Sequence, residues 1–239
     1  MTAHYHDLAE QAEQAQAQAQ AVAQTFRAAH EVAPAARSGL YRGFLKRAFD
    51  VTLVVLALPV IVPVVAILAL IVARDGGSPF YTQARVGRGG RAYTIWKLRT
   101  MVVDAEDRLG AHLAADPRAR AEWDSTQKLK DDPRVTRFGR ILRKSSLDEL
   151  PQLWNVLRGD MSLVGPRPMM PEQQALYPGR AYYRLRPGIT GPWQVSKRND
   201  TTFADRARFD ALYDRDLSLA TDLRLLLATV RVVLRATGH

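Results

Sequence analysis

The chain of 239 residues contains no cysteine. A disulfide framework, a Cys-ligated zinc or iron–sulfur centre and a cysteine nucleophile are therefore excluded. Histidine is sparse, with five residues and none at metal-ligand spacing. None pairs with a serine in a way that suggests a Ser-His-Asp relay. No glycine-rich stretch leads into the Lys-Ser/Thr of a Walker loop. No repeat with a period of about 20–50 residues is present, which excludes a solenoid. The N-terminal stretch has no basic region leading into an apolar core and a small-residue cleavage site, so it does not read as a signal peptide. Lysine is scarce too: of 34 cationic residues, 6 are Lys and 28 are Arg.

What is present is apolar and basic. The 47% hydrophobic content is too high for a disordered chain and suffices for one core, or for a core plus a membrane element. The net charge is +10, unevenly spread. Residues 1–40 carry four acidic residues against two arginines, and from Gln11 to Gln24 they are nearly all Ala and Gln. This reads as a low-complexity N-terminal tail without chemistry. The excess of arginine fits a GC-rich coding composition, a nucleic-acid surface, a membrane surface or a phosphate-rich substrate.

Val51 to Ala73 runs for 23 residues without a charge, about the length that crosses a bilayer core. Pro59 and Pro63 interrupt it, each removing a helix hydrogen bond. Both flanks are basic: Arg42, Lys46 and Arg47 before, Arg74, Arg85, Arg88 and Arg91 after. The positive-inside rule favours one basic flank for a crossing helix. A re-entrant helix over 41–75, broken at Pro59/Pro63 and returning to its own side, accommodates both. A kinked single-pass helix is the alternative, and a buried core helix is a third reading. Near the chain end, Leu217–Ala236 predicts an amphipathic helix with Arg224, Arg231 and Arg235 on one sector. It suits the membrane interface, or equally a core-packed helix with a charged outer face.

Between these apolar segments lies a candidate catalytic region. Pro79–Val86 and Ala92–Lys97 predict a β-hairpin around the glycines at 87–90. Asp104 to Lys130 predicts one or two surface helices. The densest cluster runs from Arg140 to Pro168. Pro151 is tolerated only in a first helical turn, so a helix is expected to start near Leu147 or Asp148 and stop at Gly159. That would place Asp148 and Glu149 at a helix N-terminus, where the dipole favours carboxylates and bound phosphate. Ser146-x-x-Glu149 also spells an ordinary capping box. Arg143 and Lys144 precede the pair, and Gly165-Pro166-Arg167-Pro168 follows as a stiff turn suited to aiming one guanidinium at a phosphate. Adjacent carboxylates with cations nearby also suit Mg²⁺. Downstream, Arg184 and Arg186 precede a Pro187-Gly188 turn. Trp193 reads as a core residue before a base-stacking one.

These pieces together resemble the bacterial sugar transferases, the monotopic phosphoglycosyl transferases that initiate exopolysaccharide repeat units. The resemblance is carried by Lys46-Arg47-x-x-Asp50, Gln83-x-Arg85-x-Gly87, Lys97-x-Arg99-Thr100-Met101 and Ser146-Leu-Asp148-Glu149-Leu-Pro-Gln-Leu. Gly159-Asp160-Met161-Ser162-x-Val164-Gly165-Pro166-Arg167-Pro168 and Arg186-Pro187-Gly188-Ile-Thr190-Gly191 complete it. It implies transfer of a phosphosugar from a UDP-sugar to undecaprenyl phosphate, through a covalent aspartyl intermediate with release of UMP. By the same resemblance Asp148 is the nucleophile and Glu149 its partner, both holding Mg²⁺. Arg143 and Arg167 bind phosphate, and Lys97, Arg99 and Arg186 are further candidates for phosphate or nucleotide. Pro63 would be the family's re-entrant break, with Pro59 an extra one.

The expected fold is helix-rich α+β: a tail over 1–40, a re-entrant helix over 41–75 and a cytosolic transferase domain over 76–239 with interfacial helices. The expected location is the cytoplasmic face of the bacterial inner membrane, in contact with its lipids. No nucleic-acid partner is expected, and a homodimer is allowed. The rival reading is a non-enzymatic membrane-surface scaffold, with the Asp-Glu pair as a helix cap.

Overall fold

The structure, a computed structural model, describes residues 39–126, 129–196 and 203–234. The expected N-terminal tail up to residue 38 and Arg235 of the expected C-terminal face lie outside the described residues. The fold is helix-rich, with two small sheets.

Helix α1 spans Lys46–Val72 and is preceded by a π-helical turn over Tyr41–Leu45. Its helical assignment continues through Pro59 and Pro63. Only Lys46, Asp50 and Val54 of α1 are buried, while Leu56, Val60, Ile67 and Leu70 are among its exposed apolar side chains. It is the single described helix long and apolar enough to cross a membrane. Both of its ends are tied to the rest of the molecule. At the N-terminal end the Arg42 guanidinium pairs with Asp214 at 2.6 Å, and Lys46 Nζ pairs with Asp222 at 2.8 Å. Asp50 accepts from Ser162 Oγ at 2.7 Å and from the Leu163 N–H at 3.2 Å. At the C-terminal end Arg99 donates to Asp75 at 2.7 Å and to the Ser78 carbonyl at 2.6 Å.

The chain then forms the expected hairpin, with β1 (Phe80–Val86) antiparallel to β2 (Ala92–Leu98). Gly89 and Gly90 take positive φ at its tip, which glycine adopts without a steric penalty. Helices α2 (Ala105–Ala115) and α3 (Pro117–Thr126) follow where two surface helices were expected. Helix α4 (Arg137–Ser145) is N-capped by Thr136, whose Oγ1 accepts from the Gly139 N–H at 2.8 Å. A β-carbon on Gly139 would lie 2.0 Å from the Thr100 carbonyl oxygen, so α4 meets the end of β2 through bare backbone.

Helix α5 (Gln152–Arg158) is short and stops at Gly159 in the left-handed region (φ 89°), as expected. Strands β3 (Ser162–Val164) and β4 (Gly188–Thr190) pair in parallel. After two one-turn helices, α6 (Ala181–Arg184) and α7 (Pro192–Val195), come α8 (Arg206–Asp216) and α9 (Leu219–Leu234). Helix α9 confirms an amphipathic C-terminal helix. Leu219, Leu223, Leu227 and Val230 share one exposed face at helical spacing, while Leu225 and Leu226 pack inward on Val164, Leu185 and Tyr213.

Candidate active site

The Asp-Glu pair is held by two anchors set on α5. Asn155 is fully buried; its Nδ2 donates to the Thr94 carbonyl at 2.7 Å and its Oδ1 accepts from the Trp96 N–H at 3.1 Å. This fixes α5 against β2 just where β2 presents Lys97. At the other end of α5, Arg47 donates to the Val156 carbonyl and, at 2.8 Å, to that of Leu157. A cation at the negative end of a helix is favourable. The Lys46-Arg47-x-x-Asp50 signature thus joins α1 to both α5 and β3.

Asp148 and Glu149 do not lie inside an α-helix. They occupy a 3₁₀ turn, Leu147–Glu149, and α5 begins only at Gln152 after Pro151. The proline explains the offset: it lacks the N–H an α-helix through 147–150 would need, so tighter i→i+3 bonds close the turn instead. Ser146 sits at φ 57° with no side-chain capping bond. The capping-box reading of Ser146 and Glu149 is therefore not realised.

Around the turn, Lys97 Nζ lies 2.6 Å from Glu149 Oε1 and 3.9 Å from Asp148 Oδ2. Arg143, one turn beyond Gly139 on α4, donates through Nε to Thr100 Oγ1 at 2.8 Å and faces the charge of Asp148. Arg167, on the stiff turn after β3, acts on Glu149. Gly165 begins that turn because it has no room for a side chain. A β-carbon there would lie 2.3 Å from the Arg186 carbonyl oxygen, and one on Gly188 would lie 2.1 Å from the Gly165 nitrogen.

The two carboxyls are driven apart. Burial raises Asp148 to about 6, with Lys97 opposing, Glu149 adding to the rise and Arg143 opposing. Burial also acts upward on Glu149. There Lys97, Arg167 and hydrogen bonds from Lys97 and Gln152 prevail and hold it below the usual carboxylate range. The expectation that a helix dipole would favour the Asp148 carboxylate is thus corrected, because desolvation outweighs the weak end of a seven-residue helix. A pair of carboxyls with separated affinities for protons and three cations around them is a chemically active arrangement. Among the described residues no group of three or more carboxylate or imidazole side chains forms a metal cage.

The structure thus brings together Asp148, Glu149, Lys97, Arg143 and Arg167. It places two other candidates elsewhere. Arg99 is spent on Asp75, Ser78, the Met101 carbonyl at 2.9 Å and the Val72 carbonyl at 3.2 Å, where it fastens the far end of α1. Arg186 donates to the Gly159 carbonyl at 2.9 Å, behind α5. Pro59 and Pro63 sit within α1, away from the pair.

Beside the site, Val65 of α1, Phe80 and Trp96 of the hairpin, Pro151 and the exposed Trp154 of α5 line an open apolar groove of about 280 Å³. Sequence reasoning missed Gln152, whose signal is a buried amide in the first turn of α5. Arg85, within the Gln83-x-Arg85-x-Gly87 motif, precedes the buried Val86 at the end of β1, and Arg206 starts α8.

Comparison with known proteins points the same way. Residues 41–236 match the family described as Bacterial sugar transferase. The chain is 49% identical over 197 residues to a UDP-galactose-lipid carrier transferase of Erwinia amylovora, covering 82% of this chain and 41% of that protein. It is 47% identical over 197 residues to the undecaprenyl-phosphate galactose phosphotransferase of Salmonella typhimurium, again 82% against 41%. It is 44% identical over 199 residues to the exopolysaccharide production protein ExoY of Sinorhizobium fredii, covering 82% of this chain and 88% of that one. The chain thus spans about two fifths of the length of the first two relatives.

Proposed function

This chain belongs to the bacterial sugar transferase family, and on that footing we propose that it transfers a hexose phosphate from a UDP-sugar to undecaprenyl phosphate at a membrane surface. The observation that carries the reading is the buried Asp148 beside the half-buried Glu149, with Lys97, Arg143 and Arg167 about them. The Asp148 carboxylate attacks the β-phosphorus of the donor. The bond from that phosphorus to the bridging oxygen breaks, and UMP leaves with the electron pair. A phosphate oxygen of the acceptor then attacks the same phosphorus. The bond to Asp148 breaks, the carboxylate is restored and the lipid diphosphosugar departs.

Lys97 and Arg143 face the charge that builds on the phosphoryl oxygens, and such fixed cations act most strongly where the transition state is more charged than the ground state. Glu149, held ionised, keeps Lys97 aimed into the site. Mg²⁺ fits Asp148 and Glu149, because this ion takes one or two carboxylates and completes its shell with substrate phosphates and water. It would supply further neutralisation of phosphate charge there. Burial is the main cause that lifts Asp148, and the Glu149 charge adds to it; such a cation relieves the latter.

A lipid acceptor and the cytoplasmic face of the inner membrane agree with further features. The apolar groove opens beside the pair, and α9 shows an apolar stripe flanked by Arg224 and Arg231. Both ends of α1 are bound to one body by Arg42, Lys46 and Arg99, which supports a re-entrant helix over a spanning one.

A screen for UMP release across UDP-sugars, with membranes holding the wild type or Asp148→Asn, tests the reading. The wild type turns over at least one donor and the variant none, with its membrane retention unchanged. Turnover by Asp148→Asn would refute the nucleophile. The chain has no native cysteine, so single cysteines at Gly39 and Arg74 test the topology. Both label from the cytoplasm for a re-entrant helix, and from opposite sides for a spanning one.

A further inference from the structure

Three arginines converge on one small core from distant parts of the chain. Val86, Met169, Tyr182 and Ala207 form a buried cluster, and the Val86 N–H donates to the Met169 carbonyl at 3.0 Å. Arg85 is the neighbour of Val86, Arg167 lies two residues before Met169, and Arg206 is the neighbour of Ala207. The half-buried Trp193 ring joins two of them: the Arg206 guanidinium carbon lies 4.3 Å from its centroid and that of Arg167 lies 5.7 Å away. Phe203 takes Arg206 at 4.6 Å as well. The ring is thus covered by guanidinium groups and works as a platform that sets their planes.

Asp210 attracts Arg206 and Glu149 attracts Arg167, but neither carboxylate forms a salt bridge with them. Among the described residues none of the three makes an ion pair. Arg85 donates to the neutral Gln83 Oε1 at 2.6 Å. Arg206 Nε is buried with no hydrogen-bond partner. The nearby Asp210 carboxyl accepts from the Tyr177 hydroxyl at 2.7 Å. Burial lowers Arg206 to about 10; Arg167 and Arg85 add to that, while Asp210 and Tyr182 oppose it. Half-buried, mutually repelling forks with a free buried N–H are unfavourable by themselves. A dianionic group reaching several N–H donors at once compensates them, and guanidinium forks suit phosphate oxygens best.

The position relative to the catalytic pair narrows the ligand. Lys97 and Arg143 act on Asp148, while Arg167 acts on Glu149 and shares the Trp193 ring with Arg206. A donor diphosphate with its β-phosphorus at Asp148 has its second phosphate to place. We infer that Arg85, Arg167 and Arg206, ordered by Trp193, form the subsite for the α-phosphate of the nucleoside diphosphate donor, and so hold the departing nucleoside monophosphate. The inference rests on the transferase reading above, and its test needs no turnover.

The experiment measures UMP and UDP binding by calorimetry to the full chain in nanodiscs, comparing wild type with Arg206→Met and Arg85→Gln. Methionine keeps an apolar stem over Trp193 and removes the fork. Each variant weakens UMP at least tenfold, and Arg206→Lys falls between methionine and wild type because it keeps charge without the fork. In turnover, the KM for the UDP-sugar rises with the UMP dissociation constant, while the KM for the lipid acceptor stays put. Two results overturn the inference: wild type that binds neither UMP nor UDP, or arginine variants that bind UMP as wild type does. Arg85→Gln, on a different element, guards against a local packing fault at α8. Failure of the transferase reading looks different: UMP binds and depends on Arg206, but no UDP-sugar releases it.

Discussion

Replacing Lys97 with methionine should move the acid limb of the pH–rate profile, and the structure sets direction and scale. Asp148 must be ionised to attack, and its carboxyl sits at about 6. In the wild type, about 90% is ionised at pH 7 and about 10% at pH 5, so the rate falls nearly tenfold per unit below 6. Lys97 Nζ lies 3.9 Å from Asp148 Oδ2, and it is the strongest influence holding the carboxyl down. Two unit charges about 4 Å apart at an effective dielectric near 20 interact by about 4 kcal/mol, or about three pKa units. Two features reduce that figure. The Lys97 side chain is 24% exposed, and its tighter contact is the 2.6 Å one to Glu149. An upward displacement of one to two units remains, on the order of 1.4–2.7 kcal/mol.

The assay is the initial rate of UMP release at saturating donor from pH 5 to 9. Lys97→Met should titrate between about 7 and 8, lose about two- to tenfold at pH 7 and regain most of that loss by pH 9. Glu149→Gln provides the opposite sign, because Glu149 raises Asp148; its limb should move below 6. Limbs that stay at one pH in both variants would refute the argument, whatever happens to the maximal rates.

Three further outcomes follow from other parts of the molecule. Asp210 is raised to about 7, first by burial, with the Tyr177 hydrogen bond and Arg206 opposing. A carboxyl raised on folding lends stability that is complete below its unfolded value near 4 and is lost as pH rises through 7. Asp210→Asn should flatten thermal stability across that window, an effect of at most about 4 kcal/mol. Gly188→Ala sets a β-carbon 2.1 Å from the Gly165 nitrogen and 2.3 Å from the Thr190 oxygen, both backbone atoms. A loss of about 1–3 kcal/mol or more is expected in a melt, with weaker donor binding because the Arg167 turn starts at Gly165. Leu223→Gln with Leu227→Gln polarises the exposed stripe of α9; easier extraction from membranes by high pH, with an unchanged melt of the purified protein, is the expected result.

How much of this was legible in advance depends on the range of the interaction. The hairpin was readable because alternation and the Gly89-Gly90 tip are local features. The two surface helices, the stop at Gly159 and the apolar stripe of α9 rest on neighbours within a turn. Asp148, Glu149, Lys97, Arg143 and Arg167 were singled out through their motifs and lie together in the fold, although the turn carrying the pair is 3₁₀ because Pro151 blocks an α-helix there. Arg99 and Arg186 looked alike in sequence and were drawn to carbonyls and an aspartate instead.

The sequence by itself determined that this is a Cys-free, arginine-rich chain with one long apolar helix, a hairpin and an Asp-Glu pair beside a proline, since each of these needs only a few consecutive residues. Tertiary structure alone decided which arginines share a site. Arg85 and Arg206 stand 121 positions apart and meet Arg167 only because Val86, Met169 and Ala207 bury one another. It also decided the charge state of Asp148. That depends on how much water the packed α5 and β2 exclude and on how near Lys97 is brought, and burial and distance are properties of the assembled fold.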